Sequence, residues 1–304
     1  MISCNDMIIP DRITLKRGHG DLPYLDLRIN GAEAHLYLHG AHVLRYQPAE
    51  QTPVLWQSEA SAFALGKPIR GGIPVCWPWF GPHADDATQP AHGVARLVEW
   101  ECVCSSVTPE ATTATLRLPS AAYPNASLQL TVELSHQLAV TLTTTNTDAA
   151  DLHFTEALHS YFAIQDIHQV TVSGLEGQRY IDQLAMDKSL QTQDGPISFT
   201  AETDRIYTNT PQTCTLIDPV LKRSIHVRKE NSLSTVVWNP WVDKSIRMPD
   251  YADSEYLEMV CIETANCGPD AVTLAPGQTH VMRLQISTQT DCPEAIDSSL
   301  KRRG

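Results

Sequence analysis

Residues 127–146 read "SLQLTVELSHQLAVTLTTTN", and their reading decides the fold. Leu128, Leu130, Val132 and Leu134 alternate with polar neighbours, and Leu138, Val140 and Leu142 repeat the pattern. A period of two places one set of side chains on one face of an extended chain. Working outward, "AEAHLYL", "ATLRL", "QVTVSG", "SIHVRKE", "STVVW", "EMVCIETA" and "HVMRLQIS" are further short runs rich in Thr, Val, Ile and Leu, bounded by Gly, Pro, Asn and Asp. The 3.6-residue period of a long helix is scarce, with one short helical turn expected in "EASAFAL" after Trp56. The sum predicts an all-β protein, a large antiparallel β-sandwich.

The chain has 304 residues, a size that one all-β domain often fills. No fixed repeat or flexible linker divides it, so residues 1–288 are expected to form one domain. Residues 289–304 are expected to form a polar tail ending in Lys301, Arg302 and Arg303. Hydrophobic residues make up 42% and charged residues 19%, without the signature of disorder. No apolar run reaches membrane-spanning length, and the N-terminus "MISCNDMIIPDR" lacks a secretory pattern. A formal charge of −13 argues against nucleic acid or an anionic membrane as partner. The eight cysteines show neither metal spacing nor scaffold density, and reduced thiols in a cytoplasmic protein are expected. Cys102 and Cys104 are expected on one strand face, and Cys261 and Cys267 on either side of a turn. A monomer is the expected state.

Seven windows invite a chemical reading. In "DLHFTEALHSYFA", residues 151–163, an extended backbone puts His153, Thr155, Ala157, His159 and Tyr161 on one face, opposite a mostly apolar one. Such a titratable stripe faces solvent or a ligand cleft. "KPIRGGIPVCWPWFGPH", residues 67–83, sets Arg70 before two glycines that permit positive φ or a close approach to a ligand. Three prolines and three aromatic residues stiffen the remainder, either as a plug over the sandwich or as the wall of a site. "PAHGVARLVEW", residues 90–100, holds His92 and Arg96, and with Arg70 the second arginine makes a candidate phosphate clamp. In "EMVCIETANCGP", Glu263 shares a strand face with Met259, Cys261 and Ala265, where a carboxylate is either paired or poised for proton transfer. "AETDRIYTNT" carries Asp204 and Arg205, most simply a turn acid and a surface cation, and the indoles of "VVWNPW" could stack on a sugar or cap the core. His35, His39 and His42 raise the metal question, but no carboxylate in "HLYLHGAH" completes a ligand set. Exposed histidines are expected there, with no metal.

Together "PIRGGIPVCWPWFGP", "AHGVAR", "EALHSYF", "TDRIY", "VVWNP" and "VCIETAN" resemble, in order and over residues 68–266, the glucose-6-phosphate 1-epimerase (hexose-6-phosphate mutarotase) family, a branch of the aldose 1-epimerases. The resemblance implies a galactose-mutarotase-like sandwich. It also implies interconversion of the α and β anomers of hexose 6-phosphates, glucose 6-phosphate first among them, by general acid/base ring opening and reclosure. Carried over by motif, His159 is the general acid and Glu263 the general base. Arg70 and Arg96 resemble the phosphate ligands, and His92 and Asp204 the hydroxyl-binding groups. Ala91 stands where some members have a glutamine. No cofactor is implied, and no dinucleotide or Walker fingerprint appears. Other expectations consistent with the residues are a non-catalytic sugar-phosphate sensor, a mutarotase of unphosphorylated aldoses, and a metal-dependent β-barrel isomerase built on the histidines of 35–42.

Overall fold

A computed structural model describes residues 7–290. The Leu/Val alternation of 126–146 becomes two nine-residue strands, Ala126–Leu134 and Leu138–Asn146, paired antiparallel from Ala126↔Asn146 to Leu134↔Leu138. Burial alternates residue by residue along the first, with Leu128, Leu130, Val132 and Leu134 inside, and along the second from Val140 onward. Each such side chain stabilises the fold by about 1.5–3 kcal/mol through removal from water.

These strands lie in one of two eight-stranded antiparallel sheets. The other contains, in spatial order, Thr203–Thr208, Ser234–Asn239, Met259–Asn266 and the short pieces Glu156–Leu158 and Val75–Cys76. Leu158, Val237, Val260 and Ile262 from this sheet join Leu130, Val140, Leu142, Leu284 and Ile286 from the first in one continuous core, which makes the pair a sandwich. A four-stranded sheet, Ile13 to Gln47, packs onto the same core.

Met259–Asn266 is buried at every position. One face supplies Val260 and Ile262 to the core, and the other packs Cys261 among Tyr161, Trp238 and Tyr251 and turns Glu263 toward the cleft described below.

Several local expectations change. Residues 151–163 form three short strands, Leu152–Phe154, Glu156–Leu158 and Tyr161–Ala163, because the chain bends at Thr155 and again at His159–Ser160. His153 is exposed and bonds Thr273, whereas His159 is buried. Glu156, on the face read as apolar, is buried 3.3 Å from His280. "EASAFAL" has no helical turn, and the α-helix among the described residues is Trp241–Arg247. A register shift between Cys102 and Cys104 sends the first inward and the second to solvent. Cys261 lies inside a strand rather than beside a turn. The final strand, Thr279–Thr290, extends past the boundary expected at 288. Residues 291–304, the rest of the expected tail, lie outside the described residues. No helix among the described residues is long and apolar enough to cross a membrane.

Candidate active site

The outer face of the second sheet is a ruler for the site. Asp204 pairs with Trp238, Trp238 with Cys261, and Cys261 with Tyr161, so these four side chains form a row across adjacent strands. One step along, Ile206, Val236 and Glu263 form a parallel row. Neighbouring strands are about 4.8 Å apart, so the order Asp204, Glu263, His159 is a spatial order as well. Over this floor lies a cleft of about 460 Å³, within the range of small-molecule sites. Arg70, Phe80, Gly81, Pro82 and His92 form its wall on the His159 side; Gln183, Lys244 and Met248 complete the lining.

The Arg-Gly-Gly turn holds that wall in place. Gly71 and Gly72 have φ of 113° and 58°, and a Cβ on either would lie about as close as 2.5 or 2.4 Å to backbone of residues 56–57 or Val43. The glycines therefore let the loop approach its own sheet, not a ligand. Arg70 is then pinned: Nε and Nη2 donate to the Asp250 carboxylate at 3.2 and 3.1 Å, and Nη1 donates to the Tyr161 hydroxyl at 2.9 Å. Three of its five N–H groups are so occupied, which leaves two for an anionic oxygen.

His159 stacks on Tyr161 with ring centroids 4.7 Å apart, and its Nε2 lies 3.4 Å from Glu263 Oε1. Burial pulls the imidazole well below its usual pKa, with His92, Arg70 and Arg96 adding to the effect. Burial pushes the Glu263 carboxyl well above its usual value; nearby Asp204 reinforces this and Arg96 opposes it. Burial thus disfavours both charged forms, the imidazolium and the carboxylate, in two groups close enough to exchange a proton. Glu263 Oε2 and His159 Nδ1 are buried and make no hydrogen bond within residues 7–290.

His92 sits at φ 62°, with its N–H donating to Gly81 O and its Nδ1 accepting from the Gly81 N–H. That acceptance places the ring proton on Nε2. Burial, with Arg96, Arg70 and Lys244, holds its pKa down to about 3, so His92 is neutral. Asp204, on Thr203–Thr208 rather than in a turn before it, has its pKa raised by burial against the opposing charge of Lys244.

The structure thus brings together Arg70, His92, His159, Asp204 and Glu263. Arg96 is set apart: it lies in the short 3-10 turn Ala95–Leu97, donates to Ala91 O at 2.8 Å, and does not line the cleft, although its charge is felt by Glu263 and His92. Sequence reasoning missed Lys244, whose seven-residue helix is too short to show a helical period. It also missed Asp250, which has no chemical motif around it. Of the two indoles, Trp238 lines the cleft while Trp241 packs on Tyr256.

The three histidines of 35–42 do not converge. His39 and His42 are buried rather than exposed; His39 Nε2 bonds Lys67 O, and burial draws the His42 pKa down to about 3. Asp26, Glu33 and His35 do offer ligand atoms within 4.8 Å of one another. Their carboxylates are already paired, Asp26 with Lys16 and Arg28, and Glu33 with Arg28 and Arg45. A metal there would have to displace three cations, so the set is a poor fit for one. The groove of about 610 Å³ over this sheet, though larger than the cleft, is lined by these paired charges.

Residues 24–287 of this sandwich match the aldose 1-epimerase family. The chain belongs to that family and is an enzyme of the isomerase class. It is 38% identical over 239 residues to a protein from Escherichia coli K12 named "Putative glucose-6-phosphate 1-epimerase", covering 77% of this chain and 79% of that one. A relative of the same name from Salmonella typhimurium is 37% identical, covering 86% of each chain. Among solved structures, a "putative mutarotase" from Salmonella typhimurium superposes with a TM-score of 0.85 at 29% identity, over 93% of this chain and 95% of that one. The galactose 1-epimerase of Lactobacillus acidophilus, at 11% identity and a TM-score of 0.70 over 91% and 98%, shares the fold, which is the galactose-mutarotase-like sandwich.

Proposed function

We propose that this enzyme interconverts the α and β anomers of hexose 6-phosphates, glucose 6-phosphate foremost, with His159 and Glu263 as the acid/base pair. The observation that carries the reading is their 3.4 Å contact on the cleft floor. Anomer exchange needs a proton delivered to the ring oxygen and one removed from the C1 hydroxyl, and both oxygens are bonded to C1. Two groups in contact, sharing one proton, match that requirement.

With the proton on His159 and Glu263 ionised, the histidine protonates O5 while the carboxylate takes the C1 hydroxyl proton. The C1–O5 bond breaks and the aldehyde forms. The pair is then neutral imidazole and carboxylic acid, the state that burial favours in the free protein. After rotation about C1–C2, Glu263 returns a proton to the aldehyde oxygen, His159 removes one from O5, and O5 attacks the other face of C1. The proton count is unchanged over the cycle. Neutral His92 donates from Nε2 to a sugar oxygen, and Asp204 accepts from a hydroxyl. Arg70, through its two remaining N–H groups, receives the 6-phosphate, with Arg96 adding positive potential from behind His92. The relatives named for glucose 6-phosphate support this substrate.

A cytoplasmic location belongs to the same reading, since sugar phosphates are held inside cells. NMR exchange spectroscopy on glucose 6-phosphate tests the proposal. The enzyme is expected to speed exchange between anomers, and His159→Ala to slow it about 10²–10⁴-fold while sugar-phosphate binding persists. Binding without any acceleration by the wild-type protein would instead support a sensor.

A further inference from the structure

We propose that Lys244 is a specificity-determining residue which, with Asp204, reads the substituent at C2 of the sugar and favours a hydroxyl over an amine. The inference rests on the acid/base roles proposed above. A pyranose seated with O5 at His159 and O1 at Glu263 has its C5 and C6 beyond the ring oxygen. That direction leads to His92, whose ring lies 5.8 Å from that of His159, and to Arg70, bonded to Tyr161. C2, bonded to C1 on the other side, falls toward the next two strands from Glu263 in the sheet order, Ser234–Asn239 and Thr203–Thr208, the second of which carries Asp204. The cation at this end of the cleft is Lys244.

Lys244 is held there by construction. The helix Trp241–Arg247 leaves the strand Ser234–Asn239 through Pro240, and Asn239 locks the junction: its Oδ1 accepts from the Trp241 N–H while its Nδ2 donates to Tyr256 O and Met259 O. The far side is tied down by Ser245 Oγ, which donates to Asp253 O. The Lys244 ammonium lies 5.5 Å from the Trp238 ring centroid, 3.1 Å from Glu202 Oε1 and 3.6 Å from Asp204 Oδ2. Of its three N–H groups, two suffice for these carboxylates, and one remains for a ligand. A C2 hydroxyl is both donor and acceptor, so it can give its proton to Asp204 and accept from Lys244 at once. A protonated amine at C2 can donate to Asp204 but has no lone pair for Lys244 and meets its charge. A 2-deoxy sugar makes neither contact.

The test measures anomer exchange of glucose 6-phosphate, 2-deoxyglucose 6-phosphate and glucosamine 6-phosphate, the last at a pH where the amine is protonated. Wild-type protein is compared with Lys244→Met, which keeps the stem over Trp238, and with Lys244→Arg. Wild type is expected to favour glucose 6-phosphate in kcat/KM over the 2-deoxy sugar by about 10-fold or more, the effect of a charged hydrogen bond. Lys244→Met should narrow that ratio and raise glucosamine 6-phosphate relative to glucose 6-phosphate, each by about 10-fold, whereas Lys244→Arg should keep the discrimination against the amine. Equal losses on all three substrates, or unchanged ratios, would overturn the role of Lys244 and leave the acid/base pair standing. Failure of the wild-type protein to exchange any of the three would instead remove the reading beneath it, and this proposal with it.

Discussion

Glu263→Gln separates the chemistry of the site from its stability, because the two are expected to move in opposite directions. The side chains are nearly isosteric, so the change removes a titratable oxygen and little else. As one half of an acid/base pair, Glu263 is expected to contribute about 10²–10⁴-fold in rate, or about 3–5 kcal/mol of transition-state stabilisation. The same residue is 2% exposed, and its Oε2 makes no hydrogen bond within residues 7–290. Burial raises its folded pKa above the ordinary value of 4.5, and Asp204 adds to the rise. The folded state therefore binds the proton more tightly than the unfolded chain does. Its contribution to stability is fully present below pH 4.5 and declines as pH rises through the folded pKa, at about 1.4 kcal/mol per unit. Glutamine has no such decline. Urea unfolding from about pH 4 to pH 8 should show the two proteins diverging as pH rises, with the variant the more stable, while NMR exchange shows its activity lost. A stability difference that does not change with pH, or exchange within about 10-fold of wild type, would refute the picture of a buried, proton-sharing carboxyl.

Rate against pH should show a window: the acid limb lies below pH 6.5, where His159 gains the second proton, and the alkaline limb above pH 4.5, where Glu263 loses the shared one. A profile flat to both extremes would count against the pair. Arg70→Ala should lower kcat/KM for hexose 6-phosphates by roughly 10–150-fold more than for free hexoses, and should destabilise by about 3 kcal/mol because Asp250 and Tyr161 lose their partner. Arg96→Ala, away from the cleft wall, should change that selectivity by less than about 10-fold; a larger effect than at Arg70 would reassign the phosphate contact. Exhaustive chelation should leave exchange unchanged, since Lys16, Arg28 and Arg45 already hold the carboxylates nearest His35, and activity restored by one divalent ion would contradict this. Gly93→Ala places a Cβ 2.0 Å from Trp77 O at φ 76° and should cost about 2 kcal/mol or more of stability while displacing His92; a wild-type melting temperature would show that the turn is more yielding than its geometry suggests.

The sandwich was legible in residues 126–146 because one face of those strands meets solvent, so a period of two is written into the choice of Leu and Val against Thr and Gln. The residues of the site were nameable, but their meeting was not. Glu263 and Asp204 share a face only because Met259–Asn266, Ser234–Asn239 and Thr203–Thr208 pair in register, and His159 joins them from the bend before Tyr161–Ala163, a non-local fact that no window contains. Met259–Asn266 hid its orientation because a strand buried on both faces loses the polar half of its alternation. Arg70 and Arg96 read alike as chain segments. Tertiary structure alone distinguishes them, by placing Asp250 and Tyr161 around the first at the cleft and turning the second toward Ala91 O. Lys244 was silent for the same reason, since a charge acquires its role from what the fold sets beside it, here Glu202, Asp204 and the face of Trp238.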